Sequence, residues 1–163
     1  MIVLPWLPVD RPAVPLQLHF LDVGQGLAVV VETPRHTALY DTGPGFGDND
    51  AARLVVIPFL ESRGREPDIV LVSHGDGDHA GGLESLRERY PAARYVGRTR
   101  RADELEDCAG LRWRWEQVQF EVLDTGAAHG AHDNNASCVL RIARGEFSAL
   151  LTGDIEAAAE ARL

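Results

Sequence analysis

The stretch His74-Gly75-Asp76-Gly77-Asp78-His79 packs two histidines and two aspartates into six residues, with glycines between them. An apolar run, Ile69-Val70-Leu71-Val72, leads into it through Ser73. A strand ending there would fix the first side chain, and the glycines would let the backbone turn tightly so that the donors converge on one point. Imidazole and carboxylate together suit Zn2+, Mn2+ or Fe2+. The plain alternative is a polar surface loop with chance histidines. The density of donors behind a buried strand argues against it.

Three other segments could bring donors to the same place. Leu39-Tyr40-Asp41-Thr42-Gly43 is a strand ending in Asp-x-Gly, and Leu150-Leu151-Thr152-Gly153-Asp154 is an apolar strand ending in Gly-Asp. His132-Asp133-Asn134-Asn135 precedes a third strand. Each is weak alone, because an aspartate after a strand is usually a turn or cap residue, and Asp154 could simply cap a following helix. His129 and His132 are nearby rivals as ligands, with solvated loop histidines the default. Arg94, Arg98, Arg100 and Arg101 form a run with no acid among them, around Tyr95 and ahead of Trp113 and Trp115. One reading is a phosphate grip with stacking platforms; the other is a solvated edge and two core tryptophans.

These residues need a scaffold, and the hydrophobic pattern supplies one. Residues 1–15 hold Pro5, Pro8, Pro12 and Pro15 and no periodicity, which reads as linker. Residues 16–23 alternate, with Leu16, Leu18, Phe20 and Asp22 sharing a face, and strands follow over 27–33 and 37–41 around a Pro34-Arg35-His36 turn. Residues 50–63 set Ala52, Val55, Val56, Phe59 and Leu60 at helical spacing, with Pro58 expected to kink or split the helix. Residues 68–73 form a strand apolar enough to be buried on both faces. A helix is expected over 81–90, a strand over 94–97 and a short helical or irregular stretch over 102–107. The pattern then turns to β at 111–115, 118–123, 137–143 and 147–152, before a last helix over 155–162. Early strands, intervening helices and a late run of strands predict an α/β fold in which sheet layers are covered by helices.

Bulk properties narrow the function. A chain of 163 residues suffices for one domain and its core. Its net charge of −9 argues against nucleic-acid binding by bulk electrostatics, although bound divalent ions would reverse the sign locally. Every one of the 16 basic residues is arginine, so no single arginine stands out. No apolar run approaches the roughly 18 residues a membrane span needs. The apolar start Met1-Ile2-Val3-Leu4 is short and lacks the basic opening of a signal peptide; it reads as an added scar or the ragged end of an upstream hydrophobic segment. Cys108 and Cys138 lack CxxC spacing, so a structural zinc knuckle is not expected. The favoured reading is two unpaired thiols, with Cys138 a small apolar residue in a strand and a disulfide left open.

Taken together, Asp41-Thr42-Gly43, Ser73-His74-Gly75-Asp76-Gly77-Asp78-His79 and Thr152-Gly153-Asp154 resemble the metallo-β-lactamase superfamily. Asp76 stands where the best-known form of the central motif has a second histidine. With that substitution, Leu21-Asp22-Val23-Gly24-Gln25-Gly26 ahead, and Asn134-Asn135-Ala136-Ser137 and Leu151-Thr152-Gly153-Asp154-Ile155-Glu156 behind, residues 16–163 resemble the C-terminal domain of the ComEC family of competence DNA-uptake channels.

The resemblance implies an αββα sandwich holding two divalent metal ions, Mn2+ or Zn2+. It implies that His74 and Asp76 face one ion, that Asp78 and His79 face the other and take part in the reaction, and that Asp154 bridges them. Asp41 would orient the loop. Asn135 lies where a further ligand or substrate contact is implied, and Arg98 and Arg100 are candidate substrate contacts. The implied activity is hydrolysis of DNA, the strand not taken up, by a metal-activated hydroxide. The implied partners are single-stranded DNA and the membrane-channel part of the same polypeptide, with no stable oligomer, on the extracytoplasmic face of a bacterial inner membrane. The competing readings are a hydrolase of small esters or thioesters from the same superfamily, and a degenerate binding module. Family members continue to a His-His-Gly-Ser-type motif that supplies another ligand, and this chain stops at Leu163. An incomplete second sheet, weak metal occupancy and low or undetectable activity of this chain are therefore expected.

Overall fold

The computed structural model describes residues 15–99, 105–126 and 134–163. The linker expected over 1–15 lies outside the described residues except for Pro15, as do Arg100, Arg101, His129, His132 and Asp133.

Strands β1 (Gln17–Phe20), β2 (Val29–Glu32) and β3 (Thr37–Tyr40) form an antiparallel meander. A short hairpin follows, β4 (Gly45–Phe46) with β5 (Asn49–Asp50), and then a π-wound stretch, Ala52–Val56, runs into helix α1 (Ile57–Ser62). Pro58 sits in the first turn of α1, directly after the π-wound stretch, so the continuous helix lacks one N–H donor there. The expected split thus appears as a change of winding just before the proline. Strand β6 (Ile69–Val72) lies parallel beside β3, helices α2 (Gly77–Ala80) and α3 (Leu83–Arg89) cross back, and β7 (Arg94–Gly97) lies parallel beside β6. The sheet order is β1-β2-β3-β6-β7.

The second half of the chain builds an antiparallel sheet from β8 (Arg112–Trp115), β9 (Val118–Leu123), β10 (Val139–Arg144) and β11 (Phe147–Leu151), in the order β11-β10-β9-β8. A short helix α4 (Ala157–Glu160) follows. The two sheets pack face to face. Val29, Val31, Tyr40 and Leu71 of the first meet Phe120, Val122, Leu140 and Ile142 of the second, with Trp113 and Trp115 against the same core. The opposite face of the first sheet, Val30, Leu39 and Val70, is covered by Ala52, Val56, Leu60 and Leu86. Strands β2 and β6 are buried along their whole length because both their faces are covered. The expected α/β sandwich is what the chain forms.

Phe20 shares a face with Leu16 and Leu18, the three bordering one groove, and is 66% exposed at the end of the edge strand β1. Two expectations need correction. The helix expected over 81–90 starts only at Leu83, and residues 77–80 wind into a helix of their own. Cys108 and Cys138 are not free thiols but a disulfide. They lie 30 residues apart in sequence, so no local spacing marks them. Packing of the segment after β7 against the start of β10 brings their Cα atoms to 6.2 Å, within bridging range.

An ion pair with one buried partner ties β2 to the end of α1. Arg63 donates to both carboxylate oxygens of Glu32 at 2.6 and 2.8 Å, and Glu32 is almost fully buried. The bonds from Arg63 hold the Glu32 carboxyl below its ordinary range, against burial, which pushes it up. A carboxylate with a depressed folded pKa stabilises above its unfolded value, about 4.3, and that contribution is lost as pH falls through the folded value. Glu32→Gln should therefore flatten the acid limb of a urea-midpoint-versus-pH profile between these two values. A variant whose profile keeps the parent's slope there would count against the pair as the source.

Candidate metal centre

Strand β6 ends at Val72 and delivers Ser73 and His74, both fully buried. Strand β3 ends one residue before Asp41, which turns out of the sheet at φ 59°, a left-handed conformation that aspartate tolerates better than most residues. The turn aims its carboxylate at β6. Asp41 accepts hydrogen bonds from the Ser73 N–H at 2.6 Å and the Ser73 hydroxyl at 2.8 Å, and lies 2.7 Å from His79 Nδ1. Burial raises the Asp41 carboxyl above its ordinary range, and the bonds from His79 and Ser73 only partly offset that. Burial opposes the charged form of His79, but the Asp41 carboxylate outweighs it and the imidazole pKa is raised. With Nδ1 on Asp41, His79 presents Nε2 outward, 3.2 Å from Asp154 Oδ1.

Asp154 arrives from the other sheet, three residues after β11. Gly153 makes this possible. It has φ +57°, and a Cβ there would lie 2.8 Å from Ser73 Cβ and 3.0 Å from Ser137 Oγ. Helix α4 has Glu156 at its N-cap position, so Asp154 is not the cap of that helix. His74 completes the group. Its ring centroid is 4.3 Å from that of His79, and its Nδ1 lies 3.0 Å from the Ser73 hydroxyl. One donor atom each from His74, His79 and Asp154 falls within 4.8 Å of the others. Asp76 Oδ2 is 3.6 Å from His74 Nε2. Asp78 lines a cleft of about 540 Å³ together with Phe20, Gln25, Gly26, His79 and Asp154.

The structure thus brings His74, Asp76, Asp78, His79, Asp154 and Asp41 to one edge of the sandwich, at strand ends. It does not bring the other two described candidates there as free groups. Both amide atoms of Asn135 engage Glu156, at 2.9 Å through the backbone N–H and 3.2 Å through the carboxylate. Arg98 donates from Nη1 to the Ala136 carbonyl at 2.8 Å and lies 3.6 Å from Asp107. Arg94 pairs with Glu106 at 2.7 Å. The described part of the basic run is therefore largely occupied by the protein itself.

Two residues of the site carry roles that sequence reasoning did not assign. Ser73 links Asp41 to both histidines. Thr42 donates from its N–H and hydroxyl to the His79 carbonyl at 2.7 and 2.9 Å, and its hydroxyl oxygen accepts from Gly82 N–H at 3.0 Å. Their positions next to Asp41 and His74 were the available signal. The Asp22–Gly26 loop also finds its place here: Leu27 N–H donates to the Asp78 carbonyl at 3.2 Å.

A divalent ion fits this geometry. His74 is completely buried, yet its Nε2 has no hydrogen-bond partner, an expensive state for a buried polar atom. That nitrogen is aimed at two carboxylates and a second imidazole, the donor set that transition ions take.

The family model for the metallo-beta-lactamase superfamily matches residues 21–162. The chain belongs to the metallo-beta-lactamase superfamily. Among curated relatives it is similar to Uncharacterized protein YcaI of Escherichia coli, 38% identical over 148 residues, which is 90% of this chain and 20% of that protein. It is 36% identical over 143 residues to Competence protein ComA of Neisseria gonorrhoeae, covering 87% and 20%. It is 35% identical over 145 residues to Recombination protein 2 of Haemophilus influenzae, covering 86% and 18%. The chain spans about a fifth of the length of these relatives. Among solved structures, the metallo-beta-lactamase GOB-18 from Elizabethkingia meningoseptica shares the fold, with a TM-score of 0.59 and 14% identity over 86% of this chain and 59% of that one.

Proposed function

We propose that this chain is the metal-dependent phosphodiesterase domain of a competence DNA-uptake protein and hydrolyses the strand that is not taken up. The observation that carries the reading is the convergence of His74, His79 and Asp154, with Asp76 and Asp78 beside them, on a buried imidazole nitrogen that no protein group satisfies. The carboxylate-rich donors suit two ions, with Asp76 in a histidine's place shifting the preference from Zn2+ toward the harder Mn2+. Bound there, such ions supply Lewis acidity and a hydroxide near neutral pH.

The chain's own residues do the rest. Asp41 fixes the orientation of His79, as ligating imidazoles require. Asp78, which borders the cleft, would take the proton of an attacking water. Asn135 ties the segment before β10 to the one after β11 through Glu156, and Arg98 ties it to the end of β7. The names of two relatives, Competence protein ComA and Recombination protein 2, support DNA as the substrate. Single-stranded DNA and the channel part of a longer polypeptide are the partners this reading names. The disulfide supports an oxidising, extracytoplasmic setting, and no helix among the described residues is long and apolar enough to cross a membrane.

The test is cleavage of labelled single-stranded DNA by the chain with added Mn2+ or Zn2+, run beside a small nitrophenyl ester. Low-level metal-stimulated DNA cleavage, lost on chelation and in Asp78→Ala, is the expected result. Ester hydrolysis without DNA cleavage would reverse the substrate assignment, and metal binding without any cleavage would favour a binding module.

A further inference from the structure

Cys138 has three attachments, and two of them reach the elements that carry the ligands. Its N–H donates to the Ser73 carbonyl at 2.9 Å, and its carbonyl accepts from the Tyr40 hydroxyl at 3.0 Å. Ser73 immediately precedes His74, and Tyr40 immediately precedes Asp41. The third attachment is the covalent bond to Cys108. Its neighbour Ser137 abuts Gly153, the residue before Asp154. Cys138 therefore sits where the second sheet, bearing Asp154, rests on the first, bearing His74 and His79. The ladder between β10 and β9 begins only at Val139, so Cys138 itself lies outside it.

We propose that the Cys108–Cys138 disulfide positions Asp154 against His74 and His79, so that the affinity of the site for a divalent ion depends on this bond being closed. The inference rests on the metal reading above. Metal–ligand distances tolerate only roughly ±0.2 Å, and a segment held by single hydrogen bonds shifts more easily than one that is also covalently tied. The segment before β10 is clamped from the β7 side by Arg98 through the Ala136 carbonyl, and by Cys108 through the disulfide. Opening the second clamp leaves the first sheet's ligands in place and frees the junction that locates Asp154. Neither cysteine touches the ion; both are positioning residues.

The test uses Co2+ as the probe, read through its visible absorption and its affinity. It compares the oxidised chain, the Cys108→Ser/Cys138→Ser variant, and wild type reduced by a dithiol. The dithiol gives two electrons and two protons, opening the disulfide to two thiols while it closes to its own cyclic disulfide. The reduced chain is then exchanged into anaerobic, reductant-free buffer. Affinity is expected to fall by roughly tenfold or more, the range for lost support around metal ligands, with a changed absorption band and recovery of both on reoxidation. Leu60→Ala, on the buried face of α1, lowers stability without touching the junction and should keep both. If the double variant does not fold, the reduced wild type carries the comparison. A folded, reduced chain that binds Co2+ with the oxidised chain's affinity and spectrum overturns the positioning role and leaves the metal reading intact. An oxidised chain with no Co2+ signal that His74→Ala removes overturns both.

Discussion

Replacing His74 and Asp78 together by alanine is expected to abolish the rise in melting temperature that Mn2+ or Zn2+ gives the parent chain. An ion present at a hundred times its dissociation constant stabilises the folded state by about 2.7 kcal/mol. For a chain of this size that corresponds to a rise of roughly 5–10 °C. The rise should be large because the site is poorly satisfied without an ion. His74 Nε2 is buried with no partner, and Asp76, Asp78 and Asp154 bring like charges to the same edge. The double variant removes the buried imidazole and one of the carboxylates. Scanning calorimetry with and without each metal measures the shift. A variant that keeps the full shift places the ion elsewhere and removes the basis for the proposed activity.

The second large effect is expected at Gly26. Its φ of +134° belongs to a region that side chains rarely enter, and a Cβ there would lie 2.2 Å from the Asp78 carbonyl oxygen. That oxygen is backbone and also accepts from Leu27, so it cannot swing aside as a side chain would. Gly26→Ala should cost roughly 3 kcal/mol, by strain at a special backbone position together with overpacking. Gly24 is the internal control. It too has positive φ, +75°, but a Cβ there meets nothing within 4 Å. Gly24→Ala should cost only about 1–2 kcal/mol, the left-handed penalty alone. Equal losses at the two positions in urea unfolding would mean that contact with Asp78 does not matter.

How much of this was legible in the sequence depended on whether the cause was local. The alternation in 118–123 gave β9 with its observed bounds, because one face meets the core and the other meets water. The run at 69–72 read as a doubly covered strand because its unbroken apolar sequence can bury both faces. The candidate ligand loop was legible because its donors lie in adjacent residues. Helix α2 was hidden by the very glycines that mark the loop, since Gly77 opens a helix rather than breaking one. The disulfide, the anchoring of Asn135 on Glu156 and the hub at Ser73 all depend on segments that meet only in the folded chain. No spacing rule reaches them. Phe20 fits the alternating pattern of β1, and only the position of β1 at the sheet edge explains its exposure.

The donors that meet at this site come from separate layers: His74 and His79 from the end of the first sheet, Asp154 from the end of the second. An ion held among them belongs to neither layer. An ion held there would be released when Asp154, half-exposed at the mouth of the cleft, turns away, or when the layers part. The second route would couple its residence time to the breathing of the sandwich, a slow collective motion.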